Sequence, residues 1–224
     1  MIPPLIVRRA LELGLDWIAV ADHNSAGNVR AVQAAAEGTG LTVMPGLEAE
    51  SREEVHLLCL FDTAEQAEAW AAVVAAHLPQ RLNDERRFGA QYVVDARGEY
   101  VRSEERLLVV STDLSVEQIV LGVGDHGGLC IPAHVDRPAN SLLVNLGFVP
   151  PGLDVPGLEI SRWTGVSQFR LAHPELDVFG LIGSGDAHRL GEMVRRTVVV
   201  SRGATVGELR RALRGEGDLS VTVS

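Results

Sequence analysis

An α/β architecture is predicted by the aliphatic character of the chain and by the alternation of its segments. Of the 224 residues, 46% are hydrophobic and only 4% aromatic, as expected where strands are covered on both faces by helices. Short apolar runs of strand length alternate with longer amphipathic or Ala-rich runs almost throughout, the pattern of a parallel sheet or barrel. His and acidic residues recur at the carboxyl ends of the apolar runs, where α/β folds gather their chemistry. The length fits one domain over residues 1–224.

Met1 to Gly14 reads as a helix, with Pro3 and Pro4 in its first turn and Gly14 as its stop. A buried strand, DWIAVA, follows and ends in the turn Asp22-His23-Asn24-Ser25, before an Ala-rich helix from about Asn28 to Glu37. The unit recurs as LTVMPG leading to Leu47-Glu48, VHLLCLF leading to a helix over Ala64 to Ala76, LCIPA leading to His134, LEIS, and GLIGSG leading to Asp186-Ala187-His188. Between about residues 90 and 112, YVVDARGEYV and RLLVVST flank Arg97-Gly98 and predict a β-hairpin excursion.

The formal charge of −10 disfavours nonspecific nucleic-acid binding through a basic surface, while a small anionic substrate held by metal ions remains compatible with it. Cys59 and Cys130 both sit in apolar runs and read as buried thiols of a reducing compartment. No membrane-spanning apolar run and no signal-peptide pattern is present, so the expectation is a cytoplasmic protein.

Six residues at strand ends carry the chemistry: His23, Glu48, His56, His134, Asp186 and His188. Imidazole and carboxylate together suit Zn, Mn or Fe, and a carboxylate can bridge two cations. Taken singly, each has an ordinary explanation. His23 could be a surface or capping residue, His134 a structural hydrogen bonder and Asp186 part of a Gly-rich turn. Glu50 reads as a solvated loop charge. His77, His126 and His173 also look ordinary. Six chance placements at strand ends are harder to accept than one shared site.

The runs Ala-Asp-His-Asn-Ser, Pro-Gly-Leu-Glu, Val-His-Leu-Leu, Ile-Pro-Ala-His-Val-Asp-Arg and Ser-Gly-Asp-Ala-His, in that order, resemble the successive motifs of the PHP (polymerase and histidinol phosphatase) family over roughly Met1 to Thr197. The resemblance implies a distorted (β/α) barrel holding up to three divalent metal ions. It assigns Glu48, His56 and His134 to one ion and His23 and His188 to a second, with Asp186 joining Glu48 at the remaining one. It implies a phosphoesterase acting on a small phosphate monoester or nucleotide through a metal-bridging hydroxide. Asp186 and His188 would be catalytic, with Arg137 and Arg162 contacting the phosphate.

The family opens with a strand carrying His-x-His, whereas this chain begins at the helix that follows it and has no His before His23. The expectation is therefore a barrel without its first strand, fewer bound ions and reduced activity, with a noncatalytic metal-binding or scaffold domain as the alternative. An amidohydrolase-like barrel with a carbamylated lysine is disfavoured, since every basic side chain is Arg.

Overall fold

The computed structural model describes residues 1–224. Helix α1 (Pro3–Glu12) turns its buried Val7 and Ala10 inward and stops at Gly14, whose φ of 64° ends the helix as the sequence predicts. Strand β1 (Trp17–Val20), helix α2 (Val29–Ala36) and strand β2 (Thr42–Glu50) form a crossover unit in which β1 and β2 pair in parallel, from Trp17 opposite Thr42 to Val20 opposite Pro45. The sequence placed Glu48 in the loop after this strand. The strand instead runs on through Glu50, so Glu48 and Glu50 point to one face and Leu47 and Ala49 to the other.

Strand β3 (His56–Leu60) corrects the expected parallel order. Only residues 51–55 separate it from β2, far too few for a parallel crossover, and it pairs antiparallel with Glu50 opposite His56. The tight reversal is held by the Ser51 hydroxyl, which accepts hydrogen bonds from the Glu53 and Val55 amides. Helix α3 (Ala64–His77) returns across the sheet behind a Thr63/Gln66 capping box.

An excursion then interrupts the alternation. It contains the short helix α4 (Glu85–Phe88) and a hairpin of β4 (Tyr92–Val94) and β5 (Tyr100–Ser103), turned at Asp95–Gly98. The hairpin is where the sequence places it, but its second half is not. RLLVVST forms no ladder beyond a single bridge between Leu82 and Arg106, and passes beside β2 as irregular chain bent at Val109 and Val110. Asn24, only 2% exposed, clamps it there by donating from Nδ2 to the carbonyls of Leu108 and Val110, at 2.7 and 3.0 Å.

Helix α5 (Val116–Asp125) leads to β6 (Leu129–Pro132), which pairs antiparallel with β3 and completes a four-stranded sheet of order β1-β2-β3-β6. Gly122 of α5 lies beneath the buried Trp70 ring of α3, at a spacing no side chain could share. After helix α6 (Leu142–Asn145) comes strand β7 (Gly157–Ile160), then helix α7 (Val166–Ala172) and strand β8 (Gly180–Gly183), parallel to β7. Strand β9 (Thr197–Val200), helix α8 (Val206–Leu213) and strand β10 (Ser220–Val223) close the chain, with β9 and β10 antiparallel.

Both faces of the main sheet are buried. A large core takes Leu47, Ala49, Leu57 and Cys59, while Met44, Leu60, Leu129 and Ile131 pack against Val206, Leu209 and Leu213 of α8. Cys59 and Cys130 are buried, free and opposite one another in the β3–β6 register. The architecture is mixed α/β, and the expected barrel is not a closed ring of ladders. The sheets β1-β2-β3-β6, β7-β8 and β9-β10 are separate, joined at one seam by the Val135 amide donating to the Glu159 carbonyl.

The Asn24 clamp generates a prediction. Replacing Asn24 with Ala leaves two part-buried carbonyls and the buried Glu50 amide, which donates to Asn24 Oδ1, without partners. Denaturant titration should show a loss of about 2–3 kcal/mol, and a loss below about 0.5 kcal/mol would contradict the clamp.

Candidate metal centre

Glu48 lies at the middle of the site. It is 5% exposed, and three imidazoles surround its carboxylate: His23 Nδ1 at 3.1 Å from Oε2, and His56 Nδ1 and His134 Nε2 at 3.4 and 3.3 Å from Oε1. His23 extends β1 by one step, since the Glu48 amide donates to the Asp22 carbonyl and the Asn24 amide to the Glu48 carbonyl. His56 opens β3, and because that strand is antiparallel, its first residue lies at the same edge of the sheet as the last residues of β1 and β2. His134 follows β6, with its amide donating to Glu159 Oε2 at 3.0 Å.

His188 completes the row, with Nε2 3.5 Å from His23 Nε2 and Nδ1 3.0 Å from the Asp186 carbonyl oxygen. The Asp186 carboxylate lies 3.6 Å from His188 Nδ1 and pairs with Arg137. All six predicted side chains thus lie in one continuous cluster, and Arg137 joins it. Arg162 stands slightly apart, donating to the Gly185 carbonyl and lying near Glu192.

The backbone is forced to serve this arrangement. Asn24, His134 and Asp186 have φ of 49°, 30° and 44°, a left-handed region that ordinary side chains disfavour and that clusters at functional sites. Between them, Gly185 is obligatory, because a Cβ there would meet the Glu192 carbonyl oxygen at 2.1 Å.

Sequence reasoning missed four members. Glu50 is 7% exposed rather than solvated, and approaches His56 Nε2 at 3.6 Å while accepting from the Ser111 hydroxyl. Its two-residue offset from Glu48 was the available signal, once the strand is extended through it. Asn24 and Asn140 are two more, the Asn140 side-chain amide lying 3.0 Å from His56 Nε2. Glu159 is 3% exposed in β7, and an isolated acid within LEIS was its signal.

Burial opposes charge at Glu48, but hydrogen bonds from His134 and His56 outweigh it and hold the carboxyl well below its usual range. Burial likewise opposes charge on His56, yet its hydrogen bonds to Glu48 and Glu50 push its pKa up to about 9. For His23 burial wins over Glu48, and the pKa falls. Burial raises Glu159 to about 7.

The donors suit a divalent cation. His56 Nδ1, His134 Nε2 and Glu48 Oε1 form a triangle with sides of 3.3–3.4 Å. Ligands about 2.0–2.1 Å from a shared tetrahedral ion are separated by about 3.4 Å. His23 Nδ1 is buried without a well-directed hydrogen bond although it lies near Glu48, as befits a nitrogen placed for something other than a proton partner; His134 Nδ1, the ring nitrogen outside the triangle, is also unpartnered. Ligand atoms of His23, Glu48 and His56 also lie within 4.8 Å of one another.

No protein-family model and no curated protein matches the chain. Solved structures do. The lesion-specific endonuclease Q of Pyrococcus furiosus superposes with a TM-score of 0.68 at 18% identity, over 99% of this chain and 53% of its own, so the chain spans about half the length of that enzyme. A Bifidobacterium adolescentis protein assigned as a metal-dependent phosphoesterase gives 0.56 at 20% identity, covering 85% and 83% of the two chains. A two-domain Bacteroides vulgatus protein containing an assigned PHP-like metal-dependent phosphoesterase gives 0.57 at 12% identity, covering 100% and 60%. The fold is therefore that of PHP-like metal-dependent phosphoesterases and of endonuclease Q.

The raised pKa of His56 generates a prediction for the metal-free chain. A pKa raised above its unfolded value of 6.5 adds stability that is complete below pH 6.5 and is lost as pH climbs through about 9. The depressed Glu48 acts in the opposite sense and only in acid, so it does not alter this limb. Thermal unfolding in chelator should therefore show stability falling by roughly 2–3 kcal/mol across that window, and His56→Gln should flatten the fall. An unchanged alkaline limb in that variant would contradict the assignment.

Proposed function

We propose that this chain is a metal-dependent phosphoesterase domain of the PHP type, with residues 1–224 forming one barrel-like unit open along its seams. The observation that carries this reading is the triangle of Glu48, His56 and His134 donors at the spacing of ligands on one ion. His23, His188 and Asp186 supply a second set beside it, which makes the site suited to more than one Zn, Mn or Fe ion. When bound, such ions make a water nucleophile available at neutral pH and neutralise charge on the phosphoryl oxygens.

The protein's own groups set up the rest. The Glu48 carboxyl, held well below its usual range by His134 and His56, favours the ionised form that a metal ligand needs. Glu50 and Asn140 hold the His56 ring from its far side, fixing which nitrogen faces Glu48. Asp186 would be available to hold a metal ion, and Arg137, which pairs with it, would offer a guanidinium able to grip phosphoryl oxygens. Arg162, across the same cavity, offers a second guanidinium.

A small phosphate monoester or nucleotide is the substrate class we favour, since a charge of −10 repels a polyanion. The likeness to a lesion-specific endonuclease over 99% of the chain supports a second reading, in which the phosphate belongs to a polynucleotide. No helix is long and apolar enough to cross a membrane, and buried free thiols agree with a reducing compartment.

The test is turnover of p-nitrophenyl phosphate, bis-p-nitrophenyl phosphate and a nucleotide panel with added Mn or Zn. Activity should vanish with chelator, and Glu48→Gln should lower it roughly a hundredfold to a thousandfold, the loss seen on removing one electrostatic contributor to a transition state. Inactivity towards every ester with either metal would remove the catalytic reading and favour a noncatalytic metal-binding domain.

A further inference from the structure

We propose that the cavity beside the metal centre is a nucleobase subsite, in which the indole of Trp163 stacks on the base of a nucleotide whose phosphate lies at the His134–Asp186–His188 wall. The inference rests on the phosphoesterase reading and names the alcohol that the phosphate is attached to.

The cavity has a volume of about 320 Å³, within the range of small-molecule sites. His134, Asp186 and His188 form one side of it, so any ligand that fills it abuts the candidate metal ligands. Trp163 lines the same cavity and is 78% exposed, an unusual state for the largest apolar side chain. The ring is not loose. Arg162 lies over it, with Cζ 4.7 Å from the ring centroid, and is itself held by the Gly185 carbonyl oxygen at 3.1 Å and by Glu192. One indole face is thus occupied by a fixed cation and the exposed remainder is available, the arrangement of a stacking platform.

The rest of the lining distinguishes a base from a plain aryl ring. Only two of its thirteen residues are hydrophobic, Trp163 being one of them. Arg189 and Glu192 can donate to and accept from the edge of a heterocycle, and Glu159 adds a buried carboxyl whose Oε1 has no hydrogen-bond partner. A benzene ring would offer these groups no further hydrogen bond, and a sugar phosphate would leave the indole face wet.

The experiment is calorimetric titration of the Mn-supplemented chain at low temperature with adenosine monophosphate, ribose 5-phosphate, p-nitrophenyl phosphate and a 5′-phosphorylated single-stranded DNA hexamer. Adenosine monophosphate should bind at least about tenfold more tightly than ribose 5-phosphate or p-nitrophenyl phosphate. Trp163→Ala should shrink that preference to below about threefold, and Trp163→Phe should retain most of it. A hexamer that binds more tightly than the mononucleotide and loses affinity in Trp163→Ala identifies a strand terminus as the source of the base. A weaker hexamer identifies a free nucleotide. Equal binding of adenosine monophosphate and ribose 5-phosphate, or a preference untouched by Trp163→Ala, overturns the subsite while leaving the phosphoesterase reading standing. p-Nitrophenyl phosphate binding as tightly as the nucleotide overturns the base assignment. If none of the four binds and no ester is turned over, the failure lies in the phosphoesterase reading itself.

Discussion

The constraint on which the structure depends is the burial of an ionised Glu48 among three imidazoles. A lone carboxylate at 5% exposure would be driven to neutrality, because the interior cannot solvate it. Here hydrogen bonds from His56 and His134 offset that cost, and His23 adds its charge when protonated. Each imidazole arrives by a different backbone device. His23 is carried by a continuation of β1, His56 by a strand running against its neighbour, and His134 by a left-handed residue at the end of β6. Removing the Glu48 carboxylate would leave His23 and His134 without their shared acceptor, while Glu50 and Asn140 would still hold His56 from its far side.

Much of this was legible in the amino-acid order. The apolar runs located β1, β3, β6, β7 and β8 to within a residue or two, and residues at their ends formed the cluster. What escaped was the direction of β3. Its parallel placement followed from the general alternation, yet the five residues between β2 and β3 are too few for a crossover, and that count was available from the sequence once the strand was carried through Glu50. Ending β2 at Gly46 also left Glu50 outside the site. Asn24 and Asn140 were illegible for a different reason: their partners, Leu108, Val110 and His56, lie 84 to 86 residues away along the chain, and an Asn carries no local pattern that announces such a bond.

The segment after the hairpin shows how a tertiary contact overrides a local preference. RLLVVST has the β-branched, apolar composition of a strand. Its backbone carbonyls are nonetheless taken by the Asn24 side chain, and Ser111 bonds Glu50, so the segment lies against the site as a strap rather than pairing with β5. The excursion thereby forms one wall of the mouth, with Val109 beside His23 and His56. Strained residues and buried carboxylates are tolerated there because a rigid sheet, covered on both faces, supports them from behind.

The central claim is that Glu48, His56 and His134 ligate one cation. X-ray absorption at the metal edge, on the chain loaded with one equivalent of Zn, reads this most directly. The account predicts a first shell of mixed nitrogen and oxygen donors near 2.0–2.1 Å, with the outer-shell scattering of at least two imidazoles, one of which disappears in His134→Ala. A first shell of oxygen alone, unchanged by that substitution, would show that the ion rests on surface carboxylates and would contradict the account.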